Sequence, residues 1–516
     1  MTSRLLRNPH KTAAVSSPPP KEPASCFVVW RRASAPFALL LPLACMFLLA
    51  GCMVGPKYKQ PAASVPPIYK ELQESDQWKI AHPNAEALRS KWWEIFGDPQ
   101  LNNLEDQVTV FNQNMKTAEA RFRQARATVR YNRAAEFPTI SVSPGVRDLR
   151  LSPNQAYFPS AGIGISSATD FLLPFDLSYE VDLWGRIRRT VGSAREEAQA
   201  SAGDLATMTL SLQAELAYDY FELRSADVQK KLLDNTVKAY ADMLQLTTDL
   251  FSGGAAPESD VVQARTQLDT TRVQDTDIEV LRAQYEHAIA ILIGKPPAEF
   301  AIAPQSRPFE PPTIPVGLPS QLLERRPDIA ATERRVAEAN EGIGIARAAY
   351  FPSLVIGGDV GLESQHISNL FSLPSRFWAA GPNASETIFD GGRRRAGTQQ
   401  ARANYDATVA TYRETMLEAF QQVEDNLAAL RILAQEVNQE KQAVEEAQHD
   451  IKLFSDLYEG GADPYLQVVT AETVELLNER NEIDIQRRQM DTSVLLIKAL
   501  GGGWNVSQLP QMSSLH

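Results

Sequence analysis

Few residues of this 516-residue chain are placed to do chemistry. The six histidines, at 10, 82, 287, 366, 449 and 516, form no metal-ligand spacing. No nucleophile elbow is present, and Gly294-Lys295-Pro296 lacks the glycine-rich run of a phosphate loop. These absences leave no catalytic constellation and no cofactor to hold. Two carboxylates, Asp260 and Asp463, stand just beyond the glycine pairs Gly253-Gly254 and Gly460-Gly461, where an acid favours the positive end of a following helix. The other reactive group is a thiol. Cys26, Cys45 and Cys52 are the only cysteines, and Cys52 closes the run Leu49-Ala50-Gly51-Cys52.

Arg31 and Arg32 precede an apolar stretch from Phe37 to Leu49, the pattern of a charged n-region, an h-region and a small-residue cleavage site. The stretch is too short to span a bilayer as a stable helix. It resembles a bacterial lipoprotein signal, in which Cys52 is acylated and becomes the mature N-terminus; an ordinary secretory signal is the alternative. Met53 lacks the aspartate associated with inner-membrane retention. The segment before Arg31 is long and holds Pro18, Pro19 and Pro20, so a translation start downstream of Met1 is a second alternative. With Cys26 and Cys45 in the leader, Cys52 is the sole mature cysteine and no intramolecular disulfide can form. Removing residues 1–51 takes away six basic and one acidic side chain, leaving 45 basic against 62 acidic groups, a charge of −17. Such a balance argues against nucleic acid as a partner.

The elements that would position these groups come in two copies. Gly185, Gly253, Pro257, Val261, Val262, Ala264 and Gly294 recur 207 residues later as Gly392, Gly460, Pro464, Val468, Val469, Ala471 and Gly501. Upstream, residues 134–140 match 348–354 at an offset of 214, a difference of seven residues that falls in a loop-like region. The chain thus divides into a signal peptide (1–51), an extended lipidated segment (52–90), a first repeat (91–295), a proline-rich linker (296–318), a second repeat (319–502) and a tail (503–516). Pro61 to Pro67 and Pro296 to Pro319 read as extended connectors.

Each repeat is expected to run helix, strand, strand, long helix, helix. Gly185 to Ser252 contains no proline and would extend roughly 100 Å as one helix, with Gly392 to Glu459 as its partner. Val409, Tyr412, Met416, Phe420, Val423, Leu427 and Leu430 follow the coiled-coil seam period, as do Leu205, Met208, Leu212, Leu216, Tyr220 and Leu223. Helices over Glu258 to Leu292 and Tyr465 to Leu500 are the expected partners. The glycine pairs close the long helices, and Pro257 and Pro464 suit the first turn of the next.

In the strands, Phe175, Leu177, Tyr179, Val181 and Leu183 alternate with Asp176, Ser178, Glu180, Asp182 and Trp184. Leu354, Ile356, Val360 and Leu362 alternate with Ser353, Gly357, Asp359, Gly361 and Glu363, with Val355 interrupting the polar face. A third strand, Thr139 to Leu151, is expected to change register near Asp148, and the weakest runs from Trp378 to Phe389. Strands of about ten residues match a tilted bilayer crossing. Four of them cannot close a barrel, and an open edge does not survive in hydrocarbon. Several chains must therefore share one barrel if these strands span a membrane.

Cys52-Met53-Val54-Gly55-Pro56-Lys57-Tyr58, Trp92-Trp93-Glu94-Ile95-Phe96-Gly97-Asp98-Pro99, Tyr179-Glu180-Val181-Asp182-Leu183-Trp184-Gly185-Arg186, Leu323-Glu324-Arg325-Arg326-Pro327-Asp328-Ile329 and Phe389-Asp390-Gly391-Gly392-Arg393-Arg394 follow one another along the mature chain. Together they resemble the outer-membrane efflux channel family, the TolC-like proteins, and its lipoprotein branch in particular. The resemblance implies a membrane β-barrel joined to an α-helical barrel, built as a homotrimer sharing twelve strands. It implies a passive exit duct, not an enzyme, held in outer-membrane lipid and docking a periplasmic adaptor and an inner-membrane efflux pump. A type I protein-secretion exit uses the same fold, and a purely structural coiled-coil lipoprotein is a further alternative.

By the same resemblance, the tips at Gly253, Gly254, Gly460 and Gly461 dock the adaptor, and Asp463 matches an acidic gate position of lipoprotein members. Gln467 and Thr470 stand where the founding member carries acids, so that part of the pattern is missing. Asp260 is the first-repeat counterpart of Gln467, and Ala256 that of Asp463, which would give a trimer two stacked acidic rings. Arg186 and Arg393, with Arg188, Arg189, Arg394 and Arg395, follow the inferred strands directly. They mark the level where barrel meets periplasm, either against lipid phosphates or as a solvated face. Trp92 and Trp93 read as packing anchors.

The strands offer a hold on the membrane independent of the lipid. Cys52→Ser, exported on an ordinary signal, should still fractionate with outer membrane; recovery as a soluble periplasmic protein would refute an independent hold.

Overall fold

The computed structural model describes residues 53–62, 64–71, 91–150, 168–307, 310–314, 316 and 319–515. The leader, Cys52, residues 72–90 and parts of the proline-rich linker lie outside them. After a 3-10 turn at Trp92–Phe96, helix α1 (Pro99–Phe111) starts on Asp98, whose carboxylate accepts from the amides of Gln100 and Leu101 at 2.8 and 3.3 Å. Helix α2 (Gln113–Arg133) leads into strands β1 (Thr139–Val142) and β2 (Gly145–Leu149), which pair with β3 (Ala168–Val181). Two helices follow, α3 (Arg186–Ser252) and α4 (Glu258–Leu292). The second half runs α5 (Pro327–Ala348), β4 (Ser353–Ser364), β5 (Arg376–Ser385), α6 (Arg393–Glu459) and α7 (Tyr465–Ala499).

Helices α3 and α6 have 67 residues each and begin 207 residues apart (393 − 186), while α4 and α7 have 35 each at the same offset (465 − 258). Among the described residues, no helix is long and apolar enough to cross a membrane. All strand pairs are antiparallel, in the order β1/β2, β3, β4, β5. The helices follow the same order. Helix α2 packs on α3, α3 on α5 and α5 on α6, so each strand is continued by the helix beneath it.

The seam residues pack together. Leu212, Leu216, Tyr220, Leu223, Tyr412, Met416, Phe420, Val423 and Leu427 join Trp92, Trp93 and Leu496 in one buried core at mid-height, Trp92 and Trp93 being 1% and 2% exposed. Each large side chain so buried contributes about 1.5–3 kcal/mol. The partners are divided along the helix. Helix α4 runs back from the tip over only the lower half of α3, and α2 and α5 cover the upper half.

Three details depart from the sequence reading. The first stave shows no change of register at Asp148. Val142 pairs with Phe175 and Gly145 with Leu172, the same register on both sides of a break at Ser143-Pro144, where proline lacks the N–H a ladder needs. Asp148 lies opposite Thr169 and accepts its hydroxyl at 2.6 Å. The last strand begins and ends earlier than Trp378 to Phe389, because β4 starts at Ser353 opposite Ser385 and offers no partner beyond it. Pro257 and Pro464 are N-cap residues, one position before the first helical turn.

One face of the sheet carries Ile140, Val142, Phe175, Leu177, Ile356, Val360 and Trp378, all exposed. The other carries Asp170, Asp176, Glu180, Asp359 and Glu363, with Arg147 3.6 Å from Asp170. A charge on an apolar, lipid-facing strand position costs about 2–4 kcal/mol at mid-bilayer. Val360→Arg should therefore deplete folded protein from outer membranes, whereas Asp359→Asn on the opposite face should leave its level unchanged; equal behaviour would refute the face assignment.

Candidate functional site: the helical tips and the sheet–helix junction

The tips are closed alike in both repeats. Gly254 and Gly461 adopt φ of +74° and +73°, a left-handed conformation that costs a side-chain-bearing residue about 1–2 kcal/mol. Their neighbours Ala255 and Ala462 donate back to Leu250 and Leu457 at 2.8 and 2.9 Å, completing a Schellman cap. Gly253 and Gly460 remain helical.

The two gate acids sit in different surroundings. Asp463 is half-buried in its loop, whereas Asp260 is only 9% exposed. The Tyr458 hydroxyl at the end of α6 donates to Asp260 at 3.3 Å, and Ser259 donates to its other oxygen at 3.3 Å. Burial, aided by Asp260, pushes the Tyr458 hydroxyl up to about 12, so it stays a donor at neutral pH. The Tyr458 ring lies 5.1 Å from that of Tyr465, in a cluster with Ala264 and Val468. The hydrogen bond therefore ties the start of α4 to the end of α6 within one chain.

Sequence reasoning missed the group beside this tie. Tyr465, Val468, Glu472 and Leu476 form one row on α7, so Glu472 is a carboxyl in an apolar seam, and that spacing was the available signal. It is 5% exposed, and among the described residues its Oε2 has no hydrogen-bond partner. Tyr240 of α3 donates to its backbone carbonyl at 3.1 Å. Burial, then Glu475, raises the Glu472 carboxyl to about 8; burial, then Glu479, raises Glu475 to about 7.

At the other end of the long helices the arginines follow Asp182 and Asp390. Asp182 accepts from the amides of Ile187 and Arg188 at 3.2 and 2.9 Å, and Asp390 from those of Gly392 and Arg394 at 2.9 and 3.1 Å. These carboxylates offset the unfavourable placement of cations at a helix start. Arg186 holds Glu180 bidentately at 3.0 and 2.6 Å, Arg188 reaches Asp182 at 3.1 Å, and Arg189, 3% exposed, reaches Glu341 of α5 at 2.8 Å. Arg393 is exposed. Trp184 stacks on Phe351 at 4.6 Å and donates to the Pro352 carbonyl at 2.8 Å, joining the foot of β3 to the foot of β4.

The N-terminal segment crosses this junction and descends as a strap. The Val54 amide donates to Trp184 at 3.1 Å, and a Cβ on Gly185 would come within 2.7 Å of Met53. Further down, Asn340 donates to Pro56 at 3.3 Å, Tyr58 donates to Glu333, and Gln60 donates to Tyr412 at 3.2 Å. The amides of Lys70 and Glu71 then end on the Glu424 carboxylate at 2.8 and 3.0 Å. Cys52, the residue before Met53 in the sequence, lies outside the described residues. Among the described residues no cluster could hold a metal ion.

The seam makes the tip pH-sensitive. The folded chain keeps a proton on Glu472 between its ordinary value of 4.5 and about 8, where the unfolded chain releases it, so seam stability falls as pH rises through that window. Glu472→Gln should match the parent in tip-amide hydrogen-exchange protection at about pH 5 and exceed it above about pH 8. Identical protection at both would remove Glu472 from the response.

The outer membrane efflux protein family matches residues 105–295 and 318–502. The solvent efflux pump outer membrane protein SrpC of Pseudomonas putida is 31% identical over 476 residues, covering 91% of this chain and 99% of that protein. The pyoverdine export outer membrane protein OpmQ of Pseudomonas aeruginosa is 29% identical, over 85% of this chain and 93% of that one. Among solved structures, the outer-membrane channel OprN superposes with a TM-score of 0.80 at 28% identity, over 88% of this chain and 100% of that one. The open-state Neisseria gonorrhoeae MtrE outer membrane channel superposes at 0.76 and 26% identity, over 88% and 98%. With both halves of the chain matched and near-full-length relatives at this identity, the chain belongs to the outer membrane efflux protein family.

Proposed function

We propose that the chain is the outer-membrane exit channel of a tripartite efflux system, a passive duct for small molecules that an inner-membrane pump delivers through a periplasmic adaptor. The observation that carries this is the four-stave sheet, apolar on one face and acidic on the other, with β1/β2 and β5 each paired on one side only among the described residues. In hydrocarbon those edges must be paired by other copies. Two chains would give eight strands, a barrel whose interior side chains fill; three give twelve and leave a lumen. The helices continuing the strands then line one duct from the membrane to the tips, and acylated Cys52 anchors the strap at the sheet–helix junction. The names of the relatives, which concern solvents, toluene, antibiotics and pyoverdine, favour small-molecule efflux over protein secretion.

The tips act as gate and docking surface. Asp463 supplies a ring of three carboxylates that attracts cations. Asp260 acts through Tyr458, holding the two hairpins of a chain together.

Detergent-extracted protein should have the native mass of a trimer and conduct in planar bilayers; a well-folded monomer, or no conductance, sinks the reading. Asp463→Asn should lower cation preference at low salt and less so at high salt, where screening is strong. Full selectivity in an intact trimer would leave Asp463 a helix-start residue only.

A further inference from the structure

The two sheet–helix junctions of the chain carry the same arginines but neutralise them differently. In the first, Arg186 pairs with Glu180 and Arg188 with Asp182. The positions 207 residues later keep the cations, as Arg393 and Arg395, and replace both acids, with Thr387 for Glu180 and Phe389 for Asp182. The acids that remain nearby are occupied. Asp390 and Glu386 both pair with Arg394, at 2.7 and 3.2 Å, and the Arg394 guanidinium lies over the Tyr350 ring at 5.5 Å. Arg393 and Arg395 are exposed, and among the described residues no ion pair involves either. Just above them, between β5 and α6, Ile388 and Phe389 are 93% and 88% exposed.

The end of the row that a neighbouring copy would present is itself net positive. If copies close into a ring, α6 at one end of the helical row meets α2 at the other, where the end of α2 and the turn after it carry Arg130, Arg133 and Glu136. Glu136 lies 3.6 Å from Arg133 of its own chain, so that end adds net positive charge.

We infer that Arg393 and Arg395, together with Ile388 and Phe389, form a site for an anionic phospholipid of the periplasm-facing leaflet. The inference rests on the reading of the sheet as membrane-spanning. Along the membrane normal the order is apolar strand face, apolar pair, guanidinium pair, which is the order of acyl chain and phosphate in that leaflet. The planar donor fork of arginine suits phosphate oxygens, and basic groups at the headgroup level favour anionic lipid. A free phosphate would use the arginines but gain nothing from Ile388 and Phe389, so the lipid is the occupant.

The test uses native mass spectrometry of the full-length, detergent-extracted protein incubated with phosphatidylglycerol or with phosphatidylcholine. Phosphatidylglycerol should be retained preferentially, up to one molecule per chain. Arg393→Gln with Arg395→Gln should cut that retention about tenfold, and Arg186→Gln, whose charge is already met by Glu180, should not. Phe389→Asp restores the missing acid opposite Arg395 without removing an arginine, and should also lose the lipid. Equal retention of the two lipids, unchanged retention in both the double variant and Phe389→Asp, or displacement by millimolar inorganic phosphate would each overturn the site. Planar-bilayer conductance of the same preparation separates the two levels. A conducting protein without lipid preference overturns only the lipid site, whereas a non-conducting one overturns the membrane-spanning reading on which it rests.

Discussion

The unpaired edges of a four-stave sheet govern the rest of this structure. Among the described residues, the backbone groups at the rims of β1/β2 and β5 have no partner, and hydrocarbon would provide none. On the proposed membrane-spanning reading, one protomer is an arc that copies of itself complete. Because the helices α2, α3, α5 and α6 repeat the order of the strands, the proposed closure that pairs the edges would also bring α2 of one copy beside α6 of the next. On that proposal a single lateral arrangement sets both barrel and helical body.

Much of this was readable from residue spacing, and what was not readable has a common cause. The seam of Tyr412, Met416, Phe420, Val423 and Leu427 announces itself because large apolar side chains mark every turn of a helix that must bury them. The tips are equally legible, since a left-handed glycine and a following proline are local requirements. By contrast, the end of β5 depends on where β4 begins, and the inward turn of Asp260 depends on Tyr458, 198 residues away. Trp184 looked like one member of a polar strand face, yet it stacks on Phe351 from the other repeat. Local periodicity reports which side of an element is buried. It does not report which distant residue meets it there.

The strap runs across helices of both repeats that already pack on one another. Between Val54 and Glu71 it bonds to Trp184 ahead of α3, to Glu333 and Asn340 of α5, and to Tyr412 and Glu424 of α6. No single helix presents this path, so the strap has a complete binding surface only when both repeats have folded.

The two repeats agree to the residue in the helices after their strands, α3 with α6 and α4 with α7, and disagree by seven residues in their β-hairpins. From Thr139 to Arg186 the chain advances 47 residues, and from Ser353 to Arg393 it advances 40. In a ring of three chains the periplasmic end consequently shows six hairpins of equal length, close to sixfold symmetry, while the outer rim alternates longer and shorter turns and is strictly threefold. A partner approaching from the periplasm meets six nearly equivalent places, and anything approaching from outside the cell meets only three.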